Sequence, residues 1–332
     1  MHKTIKSSIV AVLVLITMMA RSQDAHYSQF FANPLYLNPA FAGSKSCPRL
    51  VMNFRNQWPA IPGSYVTYNA SFDMHFDALQ GGLGIIANSD RAGEGVLTTQ
   101  SISLIYNVLI PVTREFAIIA GIQGGYFQKT LDWNRLVFGD QITNWGFTQS
   151  TMQPGPPAGN NFNIGDVDFA AGILGYSEKF YMGFAAHHLV PINEAFIPDN
   201  VSILPVKLTG HIGGVIPLEK SGNRNLRDDD MQLSPNIIYQ QQGAFHQMSV
   251  GMYFKKQPMI FGLWYRRFFE GHDALIVLAG FEYDKFKFGY SYDITLSELA
   301  SPAGGAHEFS FGLDFNCPQR KQKVRRINCP SF

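Results

Sequence analysis

Hydrophobic and polar positions alternate one for one over much of the chain beyond residue 49. In SYVTYNASFDMHF, residues 64–76, Val66, Tyr68, Ala70, Phe72, Met74 and Phe76 share one parity. Tyr65, Thr67, Asn69, Ser71, Asp73 and His75 share the other. Side chains of a strand point alternately to its two faces, so such a segment has one apolar and one polar face. The run is longer than the roughly 5–6 residues of a mean globular strand. It suits a tilted membrane-crossing strand of at least about 9–11 residues.

The same pattern returns further on. Phe286, Phe288, Tyr290 and Tyr292 oppose Lys285, Lys287, Gly289, Ser291 and Asp293. Phe309, Phe311, Leu313 and Phe315 oppose Glu308, Ser310, Gly312 and Asp314. Met248, Val250, Met252 and Phe254 oppose Ser249, Gly251, Tyr253 and Lys255. About fourteen such segments follow one another, starting near residues 50, 64, 82, 97, 115, 166, 179, 203, 231, 244, 258, 273, 285 and 305. A soluble sandwich also alternates, with its apolar face inward. Strand length and aromatic richness instead predict an all-β fold, a closed antiparallel transmembrane β-barrel. An even strand count keeps both termini on the periplasmic side. The connections agree. On that side they are mostly tight, as at PVTRE, YSEK, KKQP and EYDK, whereas the longest, 129–165 and 191–200, fall on the other. The segment 219–230 breaks this rule.

Composition supports a barrel. Charged residues make up only 15% and aromatic residues 14% of the chain, with 31 glycines and a mean hydropathy of −0.03. A typical globular domain holds about 25% charged residues. Lys3 and Lys6 precede an apolar run from Ile9 to Ala20, and Ala20 and Ser22 are small. This reads as a secretory signal peptide, too short for a membrane anchor. Cleavage after Ser22 leaves 23 basic and 25 acidic residues, a net charge of −2. That balance excludes a generic nucleic-acid or polybasic membrane binder. The expected organisation is a signal peptide at 1–22, an N-terminal segment at 23–48, a barrel at 49–316 and a basic tail at 317–332. The tail carries Arg320, Lys321, Lys323, Arg325 and Arg326 and ends at Phe332. It reads as a solvated end or as a docking strip for an acidic partner.

The secretory route permits disulfides. Cys47 precedes the first strand and Cys317 follows the last, and those strands are neighbours in a closed barrel. Cys47–Cys317 would staple that seam. Cys317–Cys329 and Cys47–Cys329 are the rival pairings. Little points to catalysis, a metal or a cofactor. His187 and His188 are adjacent, so strand geometry sends them to opposite faces, a poor metal site. Asp228, Asp229 and Asp230 read as a solvated turn. GGAHE, residues 304–308, pairs His307 with Glu308. A membrane-embedded hydrolase would need a serine such as Ser310 within reach, and no nucleophile signature flanks it. Arg55, Asp73, Arg266, Glu282, Asp293 and Glu308 occupy the polar parity and predict a lumenal ion-pair network, because buried charges are costly unless paired.

One stretch is neither strand nor signal: HYSQFFANPLYLNPAFAG, residues 26–43, with Asn-Pro at 33–34 and 38–39. A residue before proline is pushed to extended geometry, and proline fixes the next turn. The result is a stiff, knobbed segment whose Phe30, Phe31, Leu35, Tyr36, Leu37 and Phe41 need cover. It reads as a plug in the periplasmic mouth or a partner-binding element. This stretch, GGAHEFSFGLDF at 304–315 and the NCPSF ending resemble the PorP/SprF family, outer-membrane proteins of type IX secretion and gliding motility. The resemblance spans the mature chain. It makes Tyr27, Gln29, Phe30, Asn33, Pro34, Leu37, Asn38, Pro39, Phe41 and Gly43 the candidate plug or partner-binding residues. It implies a non-enzymatic role in secreting or retaining a large protein with a gliding-type C-terminal sorting domain. The implied partners are that protein, periplasmic ring components of the apparatus and outer-membrane lipids. A transporter or porin for small or hydrophobic solutes is the alternative.

Overall fold

A computed structural model of the chain describes residues 24–45, 47–93, 95–143, 146–147, 151–152, 155, 161–196, 200–218, 231–268, 271–296 and 304–316. The expected signal peptide at 1–22, Asp228–Asp230, the expected basic tail at 317–332, Cys317 and Cys329 lie outside these residues.

Fourteen strands close into one antiparallel barrel. They are β1 (Arg49–Gln57), β2 (Tyr65–Phe76), β3 (Gly81–Ala92), β4 (Leu97–Pro111), β5 (Ala117–Asp132), β6 (Asn161–Tyr176) and β7 (Phe180–His187). β8 (Lys207–Gly214), β9 (Gln232–Gln242), β10 (Phe245–Lys256), β11 (Met259–Phe268), β12 (Gly271–Tyr283), β13 (Phe286–Thr295) and β14 (Ala306–Asp314) complete the circuit. Each strand pairs with its sequence neighbours, and β1 pairs with β14 from Arg49↔Asp314 to Gln57↔Ala306. That last pairing removes both sheet edges, the only way a sheet can satisfy its backbone in lipid. The strand starts fall within a few residues of those the alternation predicts.

The parity assignments also hold. Thr67, Asn69, Ser71 and Asp73 are buried in the lumen, whereas Tyr68 and Phe72 are exposed on the outer wall. Ser291 and Asp293 are buried, and Phe286, Phe288 and Tyr290 are exposed. Ser249 and Tyr253 face inward, and Met248, Val250 and Met252 outward. Apolar residues thus cover the outside, and the lumen holds the polar residues together with an apolar cluster around Trp264, Tyr181 and Tyr253.

The mouth where β1 begins and β14 ends is here called proximal, the opposite one distal. Proximal connections are tight except residues 215–231, and the longest connection, 133–160, is distal. The wall is uneven. β7 and β8 have 8 residues each, beside the 16 of β6. β6 pairs with β7 only over Ala171–Tyr176. The connection from β7 to β8 turns inward at this step. Its short ladder, Ile192–Asn193 with Ile203–Leu204, buries Ile192 and Leu204 against Phe127 of β5. Glu194 reaches Lys129 at 3.0 Å.

Candidate functional site

The segment 24–44 threads the lumen from mouth to mouth. Its two Asn-Pro pairs act as helix starts. Pro34 opens a one-turn helix, α1 (Pro34–Leu37), and Pro39 opens a 3-10 turn to Phe41. Proline suits a first helical position because the N–H it lacks would be unpaired there anyway. Asn38 is extended at φ −159° and caps its turn, its side-chain oxygen accepting from the Ala40 N–H at 2.9 Å. Tyr27, Gln29, Phe30, Asn33, Pro34, Leu37, Asn38, Pro39, Phe41 and Gly43 are all buried.

At the distal mouth, Asp24 donates its N–H to Gln242 Oε1 at 3.0 Å. Its carboxylate meets His188 Nε2 at 2.8 Å and Lys207 Nζ at 3.5 Å. His188 Nδ1 faces Asp168 at 3.1 Å. Burial opposes the imidazolium, but the Asp24 and Asp168 carboxylates outweigh it and raise His188 to about 10. His188 has φ 57°, a left-handed conformation, one residue past the end of β7. That turn breaks the alternation, so His187 and His188 line the same cavity rather than opposite faces. Lys207 also lies 4.7 Å from the centre of the Tyr36 ring, and Tyr36 packs edge-on against Tyr27.

Further down, the expected lumenal charges do meet the segment. The backbone N–H groups of Ser28 and Gln29 donate to the two oxygens of Glu308 at 2.7 and 3.1 Å. Arg55 bridges Glu308 at 3.1 Å and Asp293 at 2.9 Å, and Arg266 reaches Asp293 at 3.0 Å. The Ser28 hydroxyl sits among them, donating to Asp293 at 2.6 Å and accepting from both arginines. The six charges expected to form one network divide into separate groups. Asp73 pairs with Arg49 at 2.9 Å, and Glu282 with Lys255 and Lys287 at 2.7 and 2.8 Å. The Arg55 group lies toward the distal mouth, whereas the Asp73 and Glu282 groups lie toward the proximal mouth on different strands.

The middle of the segment is apolar. Phe30 lies 5.3 Å from Trp264, and Phe31 packs on Tyr181 and Tyr253. Phe41 stacks on His211 at 5.3 Å. Burying each such ring contributes about 1.5–3 kcal/mol. Asn38 donates to the Ile173 and Phe184 carbonyls of β6 and β7. Asn107 of β4 donates to the Ala40 and Ala42 carbonyls. The wall makes room with glycines, a feature that sequence alone did not assign. A Cβ on Gly121 would stand 2.8 Å from Ala40 N and 2.9 Å from the Pro39 carbonyl carbon. At the proximal mouth, Gly43 takes φ 59° and donates its N–H to Asp73 at 2.8 Å before the chain enters β1.

The first described residue and the strand ends therefore lie at opposite mouths. The start of β1 and the end of β14 share the proximal mouth, whereas Asp24 lies at the distal one, and the segment between runs the length of the lumen rather than sitting in one mouth. Cys47 is disulfide-bonded. Phe315 N–H donates to the Pro48 carbonyl at 2.9 Å, joining the two strand ends beside it. His307 meets Tyr290 at 2.9 Å, whereas Glu308 and Ser310 reach the lumenal segment, so His307 and Ser310 do not share a site.

A closed barrel with an apolar outer wall and a polar lumen is the build of an outer-membrane protein. Solved structures share it. The toluene transporter TbuX of Ralstonia pickettii is 10% identical, with a TM-score of 0.51 over 89% of this chain and 96% of its own. The TodX monoaromatic hydrocarbon channel, as a deltaS2S3 mutant, gives the same values. Such likeness shows the fold alone. No curated protein sequence matches the chain. Residues 19–313 match the family described as type IX secretion system membrane protein PorP/SprF. The chain belongs to the PorP/SprF family.

Proposed function

We propose that this barrel is a non-enzymatic component of type IX secretion that assists the export or surface anchoring of a large protein bearing a gliding-type C-terminal sorting domain. The observation that carries the reading is the family match over residues 19–313, which includes both the barrel and the segment threaded through it. In this reading the segment is a plug. Its interlocked side chains block the lumen to free diffusion, which suits an anchor better than an open pore. The proximal mouth faces the periplasm, because short turns mark the periplasmic side of bacterial barrels. The basic tail and the proximal surface would then contact ring components of the apparatus, and the outer wall contacts membrane lipids.

Deletion of the gene tests the proposal. Surface display of at least one sorting-domain protein should fall, and unchanged display of all of them would reject it. Transport of small or hydrophobic solutes is the second reading, favoured by a cavity of about 210 Å³ at the distal end of the lumen. Uptake by liposomes holding the purified barrel separates the two.

A further inference from the structure

The distal cavity is bordered by Asp24 and Ala25, where the N-terminal segment is only half buried, and by Tyr27, Leu35 and Tyr36 further along it. Asp24 is bound there as a guest would be. Its carboxylate is read by His188 and Lys207, and its backbone N–H by the side chain of Gln242. The other charges around the cavity have their own partners. Lys129 pairs with Glu194 at 3.0 Å, Asp90 accepts from the Thr67 hydroxyl at 2.6 Å, and Asp168 orients His188. With Asp24 withdrawn, His188 and Lys207 would lose the carboxylate they share; Asp168 stays on His188, and Asp90, held only by a neutral hydroxyl, is the other anion of the lining outside the Lys129–Glu194 pair. The vacated position would attract an anion. The cavity beside it is about 210 Å³. A water molecule's share of liquid volume is about 30 Å³, so this space admits a side chain with neighbouring backbone.

The deeper contact between segment and wall is incompletely satisfied. Among the described residues, the buried Asn33 amide finds no hydrogen-bond partner for its nitrogen or its oxygen, and neither does the Tyr27 hydroxyl. Each such group forgoes the hydrogen bond it would make in water, which weakens the docking relative to the area it buries. An element held this way can be displaced.

We propose that the distal cavity is a receptor for an acidic peptide segment, and that Asp24 is its resting occupant. The incoming carboxylate takes the place of Asp24 on His188 and Lys207, an incoming backbone N–H takes Gln242, and residues 24–27 swing free. The current occupant is itself a peptide segment without regular secondary structure, read through both a carboxylate and an N–H, which is why the guest is assigned as peptide. That the peptide belongs to the exported protein rests on the preceding proposal; the site itself does not.

The test uses the purified full-length mature protein in detergent and a labelled peptide of uncharged residues with a single aspartate. A tethered competitor acts at an effective concentration in the millimolar range, so its removal should tighten binding by about tenfold or more. The expected result is therefore about tenfold tighter binding to Asp24→Asn than to wild type. Adding Lys207→Met to that variant should abolish the gain, and the same peptide with asparagine should not bind. Heat-modifiable migration on gels reports that each barrel is folded. If Lys207→Met fails to fold, His188→Gln in the Asp24→Asn background takes its place. Equal binding to wild type and Asp24→Asn would overturn the proposal. Equal occupancy by acetate at matched carboxylate concentration would overturn the peptide assignment. Failure here with intact secretion phenotypes would reject the site while leaving the secretion role standing.

Discussion

A single methylene-scale change in the wall should loosen the lumenal segment without harming the barrel. Gly121 lies on the lumenal face of β5, and a Cβ there would come within 3.0 Å of Ala40 N, Ala40 Cα and the Pro39 carbonyl carbon. Real Cβ atoms do not approach backbone so closely, and the Pro39–Ala40 backbone is pinned by Asn38 and Asn107. Gly121→Val adds two further carbons at the same point. Overpacking of a filled interior costs about 1–3 kcal/mol. Valine is a favourable strand residue, so the β5 ladder gains rather than loses. The strain therefore falls on the segment. Since about 1.4 kcal/mol is tenfold in an equilibrium constant, opening of residues 30–44 should become about 5- to 150-fold more frequent. Hydrogen exchange read by mass spectrometry on peptides from that region measures it. The control is Gly210→Val, because a Cβ on Gly210 meets nothing within 4 Å. Unchanged exchange in Gly121→Val, or an equal change in Gly210→Val, would refute the placement of Pro39 and Ala40 against β5.

Three further outcomes follow from the same contacts. Asp293→Ala leaves Arg55 and Arg266 buried without their shared partner and should cost about 3–5 kcal/mol, seen as a lower urea midpoint for the loss of heat-modifiable migration. Phe31→Ala removes the ring packed on Tyr181, Tyr253 and Trp264, and should speed exchange in residues 27–37 while leaving strand exchange in place. The folded state raises His188 from 6.5 to about 10, so its contribution is complete below about pH 6.5 and is lost as pH rises through 10; the difference in melting temperature between wild type and His188→Gln should shrink between pH 7 and pH 10.

Alternation made the sheet legible because a strand's period is two and the membrane imposes one sign of polarity on each face. Phe288 and Asp293 could be assigned to opposite faces from parity alone. The pairing β1–β14 followed from the need to close. What parity could not carry was anything set by the third dimension. His187 and His188 share a cavity because one left-handed residue breaks the period. The inward turn at Ile192–Asn193 and Ile203–Leu204 depends on Phe127, 65 positions before Ile192 in the chain, with which Ile192 packs. The Asn-Pro pairs announced a stiff segment, and their use as helix starts was available from the proline at the first helical position. The path of that segment was not, because its partners, Glu308, Asp293, Arg266 and Asn107, are scattered over the strands and only closure brings them together. The glycines lining the wall, Gly121 among them, looked like ordinary strand glycines until the segment lay against them.

The most direct test of the central claim is affinity capture of the tagged protein from its native envelope in mild detergent, with the co-purifying proteins quantified by mass spectrometry. The account predicts a large exported protein with a C-terminal sorting domain, or ring components of the apparatus, in near-stoichiometric amount. Recovery of the barrel alone, together with solute uptake by liposomes that contain it, would contradict the account.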